Sequence, residues 1–405
     1  MGNYLGNSIL NFVKLLKGEI EYMSENKAEL GMSLNTAIDF IMNSILVEAS
    51  NLIFYLISKP GAGKTEMILG YINRYCKTTG KKIGLIHRNM GLMLTEQFSG
   101  IPEIKNTKRG YETVWSIPEL VADAMNMEES GYDMIVIFFD DWHLAIKDVK
   151  AIGYELFTDY RVKGHKLPDN CRFVMAGNDS AASGSRGELS GITSRVNKLK
   201  VFADPEYWIN NYALPNALSD EVTSFITLRE NVDIFHGEED PVDSWPNPRK
   251  WKMLSVLIKL MRKYELPFSL TGEMALYSSV VGENAARRFN THVKIFKEFN
   301  VEKVLTTGEY EIPSDDSKKF IFIYAVTSGF YNGFYSNKKE RAKMSNVWVE
   351  ILRKISETNE ELFIACFRQL MTKDTKGELI GYMASKGLLS TEMMDSLKKT
   401  STKLL

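Results

Sequence analysis

The chain has 405 residues, long enough for two or three domains, with 44% apolar and 25% charged residues and a formal net charge of -1. Such a composition belongs to ordinary globular proteins, and the balanced charge excludes a global field that would draw in nucleic acid, leaving only a local basic patch open. No apolar run reaches the roughly 18 residues that span a bilayer, no signal-peptide pattern opens the chain, and Gly6 stands where a myristoylation motif wants Ser or Thr, so we expect a cytoplasmic protein without a membrane partner.

Cys76, Cys171 and Cys366 are scattered and form no C-x-x-C, which predicts small core hydrophobes rather than a disulfide framework or a metal site. Residues 1–31 place Leu10, Val13, Leu16 and Ile20 at helical spacing. Ser33 reads as the N-cap of a second helix with Ile38, Ile41, Ile45 and Leu46 on one face. Leu52 to Ile57 reads as a buried parallel strand. It stops at Ser58-Lys59-Pro60-Gly61-Ala62-Gly63-Lys64-Thr65, and a helix pattern follows from Glu66 to Tyr75. Strand, Gly-rich turn and helix are the context of a phosphate-binding loop. Glycines let backbone N–H groups turn onto a phosphate, and the helix N-terminus adds partial positive charge. Lys64 can reach the β- and γ-phosphates, and the Thr65 hydroxyl can sit on Mg²⁺. Ser58 stands where the usual pattern has its first Gly.

Lys82 to His87 is a short strand. Residues 88–118 show no steady period and are broken by Gly91, Gly100, Pro102, Gly110 and Pro118, so we expect a long irregular functional segment. It carries Tyr111 and Trp115 beside Lys108 and Arg109, a grouping that suits aromatic core or stacking on bases. Ile135 to Phe139 is a central strand that ends in Asp140 and Asp141. At the carboxyl edge of a parallel sheet these face the ligand crevice. Asp140 would hold Mg²⁺, and Asp141 would orient or deprotonate the attacking water. A helix over 145–160 follows. Arg172 to Ala176 is a third buried strand, with Asn178 at its tip able to hydrogen-bond the γ-phosphate or the water. Residues 180–191 are small and Gly/Ser-rich, and Leu199, Val201 and Phe202 mark a last strand after Arg195. Asp204-Pro205 marks a hinge, and helices alone follow, among them 317–335, 341–357 and 359–372. The alternation up to about residue 203 argues an α/β domain followed by a helical region.

The phosphate loop, then Phe138-Phe139-Asp140-Asp141, then Met175-Ala176-Gly177-Asn178, then an Arg ahead of a strand, together resemble an AAA+ ATPase core. The finer resemblance is to the MoxR-like branch, including versions common in bacteriophage genomes, and it covers roughly residues 33–300. Residues 95–102 resemble that branch's segment after the second strand. Residues 166–169 resemble its stretch ahead of sensor 1, and residues 244–251 its sensor 2 helix start. The resemblance implies a P-loop core with a parallel five-stranded sheet over 33–203, preceded by a helical segment over 1–32. An α-helical lid over 204–298 and a helical C-terminal extension over 299–405 follow. It implies that Ser58, Lys59, Pro60, Gly61, Ala62, Gly63, Lys64, Thr65 and Glu66 bind ATP, and that Thr65 and Asp140 hold Mg²⁺. Asn178 matches sensor 1, Arg195 the arginine finger that reaches the neighbouring subunit's γ-phosphate, with Arg186 as its rival, and Arg249 sensor 2. Asp141 takes the place of the family's usual Glu, with about 1.5 Å less reach. His143 would contact the γ-phosphate or the next subunit, or serve as a structural histidine.

The resemblance also implies a homo-oligomeric ring, a hexamer, that remodels a protein such as one with a von Willebrand A domain, with Tyr111 and Trp115 as candidates to grip it in the axial channel, in the host cytoplasm if the chain is viral. Two other readings stay open. One is a nucleotide-gated scaffold with weak hydrolysis, since Asp141 replaces Glu. The other is a DNA-acting ATPase such as a helicase loader, against which the balanced charge weighs.

Overall fold

The computed structural model describes residues 31–48, 50–179, 190–240, 242–264, 270–357, 359–374 and 377–389. The chain divides into two compact units, one formed by the residues up to Lys59 with Lys64–Phe202, the other by Pro60–Gly63 with the residues from Ala203 onward. The expected helix near the N-terminus and Arg186 lie outside the described residues.

The first unit runs β1 (Met32–Ser33), α1 (Leu34–Leu46), β2 (Ile53–Ser58), α2 (Lys64–Thr79), β3 (Ile83–Asn89), α3 (Thr95–Ser99), β4 (Pro102–Thr107), β5 (Gly110–Trp115), α4 (Glu119–Glu129), β6 (Met134–Asp140), α5 (Lys147–Asp159), β7 (Arg161–Val162), β8 (His165–Lys166), β9 (Cys171–Asn178), α6 (Ser190–Thr193) and β10 (Val196–Phe202). Its main sheet is parallel throughout, in the order β1-β10-β2-β9-β6-β3. Buried strands such as β6 and β9 read as near-continuous apolar runs because helices cover both faces of a parallel sheet. On α1, Leu34, Ala37, Ile38, Ile41, Met42 and Ile45 recur at helical spacing and are all buried. Cys171 and Cys366 are buried and Cys76 is half-buried, all three as free thiols.

The sheet has six strands rather than five, because Met32 and Ser33 pair in parallel with Val201 and Phe202 at its edge. Two residues are too few to leave a pattern in sequence. Ser33 does precede α1, but its hydroxyl meets Thr36 Oγ1 at 2.7 Å and caps no backbone N–H. The segment 88–118 is not irregular. It holds α3 and an antiparallel hairpin of β4 and β5, closed between Thr107 and Gly110. The hairpin is exposed on most of its length, so no buried face imposed alternation on its residues.

The second unit is helical: α7 (Pro205–Trp208), α8 (Asp220–Thr227), α9 (Pro248–Lys263), α10 (Leu270–Val281), α11 (Glu283–Glu298), α12 (Val301–Thr307), α13 (Asp316–Ser336), α14 (Arg341–Ser356), α15 (Glu360–Lys373) and α16 (Glu378–Ser385). Asp204-Pro205 is a helix start: the Asp204 carboxylate accepts from the Glu206 and Tyr207 N–H groups, and Pro205 takes the first helical position. Two apolar clusters fill this unit. One gathers Phe225, Trp251, Phe289 and Val293, the other Phe330, Trp348, Phe367 and Leu379. A polar junction ties α8, α13 and α15: Lys373 pairs with the Asp220 carboxylate, Ser328 donates to that carboxylate, and Lys373 Nζ lies 3.1 Å from Ser328 Oγ.

His292 is buried on α11, with Nε2 2.7 Å from Ser224 Oγ. Burial pushes its pKa from 6.5 down to about 3. The unfolded chain therefore takes up this proton first on acidification. Stability is present in full above pH 6.5 and is lost as pH falls from there towards about 3, by up to about 1.4 kcal/mol per pH unit. Urea midpoints between pH 7 and 5 should fall for the native protein and fall less steeply for His292→Asn. An identical slope in the variant would remove His292 as a source of acid sensitivity.

Candidate functional site

The site forms where β2, β3, β6 and β9 end on one edge of the sheet, and register alone assembles much of it. Ser58 stands opposite Asn178 across β2 and β9, and Asn89 opposite Asp140 across β3 and β6. The chain turns after Ser58 through Gly61 and Gly63 at φ of 78° and 95°, the left-handed region that glycine enters without strain. Ser58 is the last residue of β2 and has no positive φ, so glycine is not required there. Its hydroxyl accepts from the Lys64 ammonium at 2.8 Å and donates to the Lys59 carbonyl at 2.9 Å. Lys64 opens α2, is buried, and also donates to Asn178 Oδ1 at 3.2 Å. Gly177 precedes Asn178 because a Cβ there would collide with the Tyr55 hydroxyl.

Thr65 Oγ1 donates to Asp140 Oδ2 at 2.7 Å. His87 Nε2 lies 3.4 Å from the same carboxylate oxygen, its ring stacked 5.1 Å from Phe138. Asp141 adopts φ 52° and ψ 35°. This left-handed conformation is sparsely populated outside glycine and is tolerated by Asp. Asn89 Nδ2 donates to Asp141 Oδ2 at 3.2 Å, and the Asp141 N–H donates to Asp140 Oδ1 at 3.0 Å. Trp142 follows, fully buried, and packs with Phe139 and Phe157, and Phe139 stacks in turn on Phe173. His143 is buried too. Its Nδ1 accepts the Asn178 backbone N–H at 3.2 Å, and burial lowers its pKa against the opposing pull of Asp141, leaving the ring neutral at pH 7.

Ser58, Lys64, Asn178 and His143 thus form one chain of hydrogen bonds, and Thr65, Asp140 and Asp141 a second one at the same sheet edge. Lys59 and Glu66 are exposed, Glu66 in the first turn of α2, where its charge opposes the helix dipole's positive end. Arg195 is held by its own unit. Its Nε donates to Thr158 Oγ1 at 2.6 Å, its Nη1 to the Gly191 carbonyl at 2.6 Å, and its guanidinium lies 4.0 Å from the Tyr154 ring centre. Arg249 is the second residue of α9, in the second unit, and is exposed. Tyr111 is exposed on the hairpin, while Trp115 is half-buried under Lys163, 4.6 Å from its ring centre. Sequence reasoning missed His87 and Asn89. Their signal was the one that found Asn178: polar side chains at the tip of a strand beside the acidic one.

Thr65 and Asp140 present hard oxygen donors side by side. These fit Mg²⁺, which would take the place of the hydrogen bond between them. Among the described residues no helix is long and apolar enough to cross a membrane.

No protein-family model and no curated protein matches the chain. Solved structures that are similar include a RuvB mutant from Thermotoga maritima, at 12% identity over 73% of this chain and 80% of that one, TM-score 0.34. Another is Aeropyrum pernix Orc1 in complex with DNA, at 10% identity over 86% and 82%, TM-score 0.37. A third is NtrX from Brucella abortus, at 13% identity over 91% and 75%, TM-score 0.33. At such values the chemistry of this chain has to be read from its own residues.

Ser58 offers Lys64 an acceptor that a phosphate would displace. Ser58→Ala should weaken the free protein by about 1 kcal/mol and tighten nucleotide binding by a similar amount, about fivefold. Titration with a fluorescent ATP analogue checks this; weaker or unchanged binding would mean that Ser58 does not compete for the lysine.

Proposed function

We propose that the chain is an AAA+ ATPase of MoxR-like type that assembles into a homo-oligomeric ring, binds and hydrolyses ATP with Mg²⁺ at subunit interfaces, and uses the cycle to remodel a partner protein. The observation that carries this reading is the single sheet edge where the Lys64 ammonium, the Thr65–Asp140 pair, Asp141 and Asn178 converge. Lys64 would move from Ser58 onto the β- and γ-phosphates, where a charged partner replaces a neutral one. Asn178, already on Lys64, lies where the γ-phosphate or the attacking water would accept its amide. Mg²⁺ held by Thr65 and Asp140 would neutralise charge on the phosphate oxygens.

Asp141 accepts the water's proton in this scheme. Asn89 holds its carboxylate, so the hydrogen bond has to yield or rotate before Asp141 turns to a water. Arg195, from a neighbouring subunit, and Arg249, from a lid over 204–298, would stabilise charge on the transferring phosphoryl group. The hairpin is the element we assign to the partner. Ile104, Tyr111 and Trp115 share one of its faces, and Ile104 and Tyr111 are 77% and 82% exposed. A protein with a von Willebrand A domain is the partner class that the MoxR resemblance suggests. Exposed Lys108 and Arg109 at the hairpin's tip favour a second reading, a grip on single-stranded DNA.

ATP turnover measured across protein concentration tests the ring. Specific activity should rise with concentration and fall about 10³-fold or more in Arg195→Ala while ATP binding stays intact. Activity independent of concentration would sink the shared-site mechanism. Tight ATP binding without turnover, relieved by Asp141→Glu, would favour the scaffold. Salt-sensitive binding of single-stranded DNA, lost in a Lys108/Arg109 double alanine variant, would favour the nucleic-acid reading.

A further inference from the structure

In a parallel sheet, successive N–H groups of a strand point to opposite neighbours. At the end of β9 the Asp179 N–H donates to Ser58 of β2 at 3.2 Å, so the Asn178 N–H points the other way, towards β6. The ladder between β6 and β9 has already ended there, with Phe139 opposite Met175. Beyond it β6 turns off through the left-handed Asp141. The Asn178 N–H would face a gap. His143 Nδ1 fills that gap at 3.2 Å.

We propose that His143 is a positioning residue that fastens the tip of β9 to the acidic turn after β6, so that Asn178 and Asp141 face the reacting phosphate as one rigid piece. The proposal rests on the ATPase reading for its catalytic consequence and on geometry for the brace itself. Two further observations support it. The Nδ1 accepts, so the neutral ring carries its proton on Nε2, and that atom is buried with no partner among the described residues. An unpaired buried donor is costly, and an apolar side chain of similar size would avoid it. The cost is tolerated where the other nitrogen is needed. The turn is also held from behind: Lys150 of α5, itself buried, donates to the His143 carbonyl at 3.4 Å. The turn's backbone is therefore fixed on one side by α5 and its imidazole fixes β9 on the other.

The test compares His143→Leu with His143→Asn, whose side-chain oxygen can stand near the place of Nδ1. His143→Leu should lower the turnover number about 10–100-fold, the usual loss when an outer partner of a reacting group is removed. ATP affinity should stay within about threefold, since Lys64 and Thr65 are untouched. His143→Asn should recover most of the turnover. Combined with Asn178→Ala, the leucine change should cost little more, because it acts through Asn178. Hydrogen–deuterium exchange of the peptide spanning the end of β9 reads the brace without catalysis. It should quicken locally in His143→Leu and stay slow in His143→Asn. Unchanged exchange at that peptide overturns the proposal. Equal loss in both variants with exchange raised across the whole sheet also overturns it, by making His143 a packing residue. Should the native protein turn over no ATP, the ATPase reading fails, while the exchange at β9 still decides the brace.

Discussion

A buried ammonium governs the active edge of this protein. Lys64 is 8% exposed, and the acceptors at its head are the neutral oxygens of Ser58 and Asn178. Removing a cation from water is expensive unless it is well hydrogen-bonded and paired. Ser58 and Asn178 serve the first need, and a phosphate at this edge would add an anion to the lysine's partners. Such an anion would lie where α2 directs its first N–H groups and its partial positive charge. The elements that hold Lys64 are therefore also those that make the edge ready for an anion. Substituting Ser for the usual first Gly fits this balance: the strand geometry at Ser58 tolerates a side chain, and the hydroxyl gives the lysine somewhere to rest.

The acidic side of the edge works under the opposite constraint. Asp140 and Asp141 stand in sequence, and two carboxylates so close would repel if both faced one point. The left-handed turn at Asp141 separates them. Asp140 faces Thr65 and His87, whereas Asp141 faces Asn89. The turn stands on a close-packed aromatic floor of Phe139, Trp142, Phe157 and Phe173. That floor supplies the packing that keeps a sparsely populated backbone conformation in place. The shorter reach of Asp against Glu is thus set on a rigid base, where a misplacement of about 1 Å can matter 10²-fold.

Much of this was legible in the sequence, for one reason. Parallel strands buried on both faces leave apolar runs, and their tips are where polar residues break off. Ile53–Ser58, Met134–Asp140 and Cys171–Asn178 could be read that way, and so could Asp140 and Asn178, while Lys64 was read from the Gly-rich turn that opens α2. What escaped had no such signature. β1 has two residues and borrows its pairing from β10. The hairpin of β4 and β5 is held by its own ladder and buries little, so neither face selected an alternation. Asn89 and His87 gain meaning only from the register that sets β3 beside β6. The partner of His143 lies 35 residues on, beyond the end of a ladder, and no local pattern announces it.

One helix face connects these parts. Lys150, Tyr154 and Thr158 lie at i, i+4 and i+8 on α5 and so project along one side. Lys150 reaches the turn after β6, while Tyr154 and Thr158 seat Arg195. If Arg195 serves a neighbouring subunit, it has to leave that seat. It would give up a ring contact worth about 0.5–1 kcal/mol and hydrogen bonds from a charged donor worth about 1.5–3 kcal/mol each. A phosphate offered across an interface would compete by pairing the guanidinium with an opposite charge in bidentate geometry. Without a neighbour nothing competes with Thr158, Gly191 and Tyr154, and the arginine stays home. On the proposed reading, the seat on α5 would hold Arg195 back in an unassembled subunit.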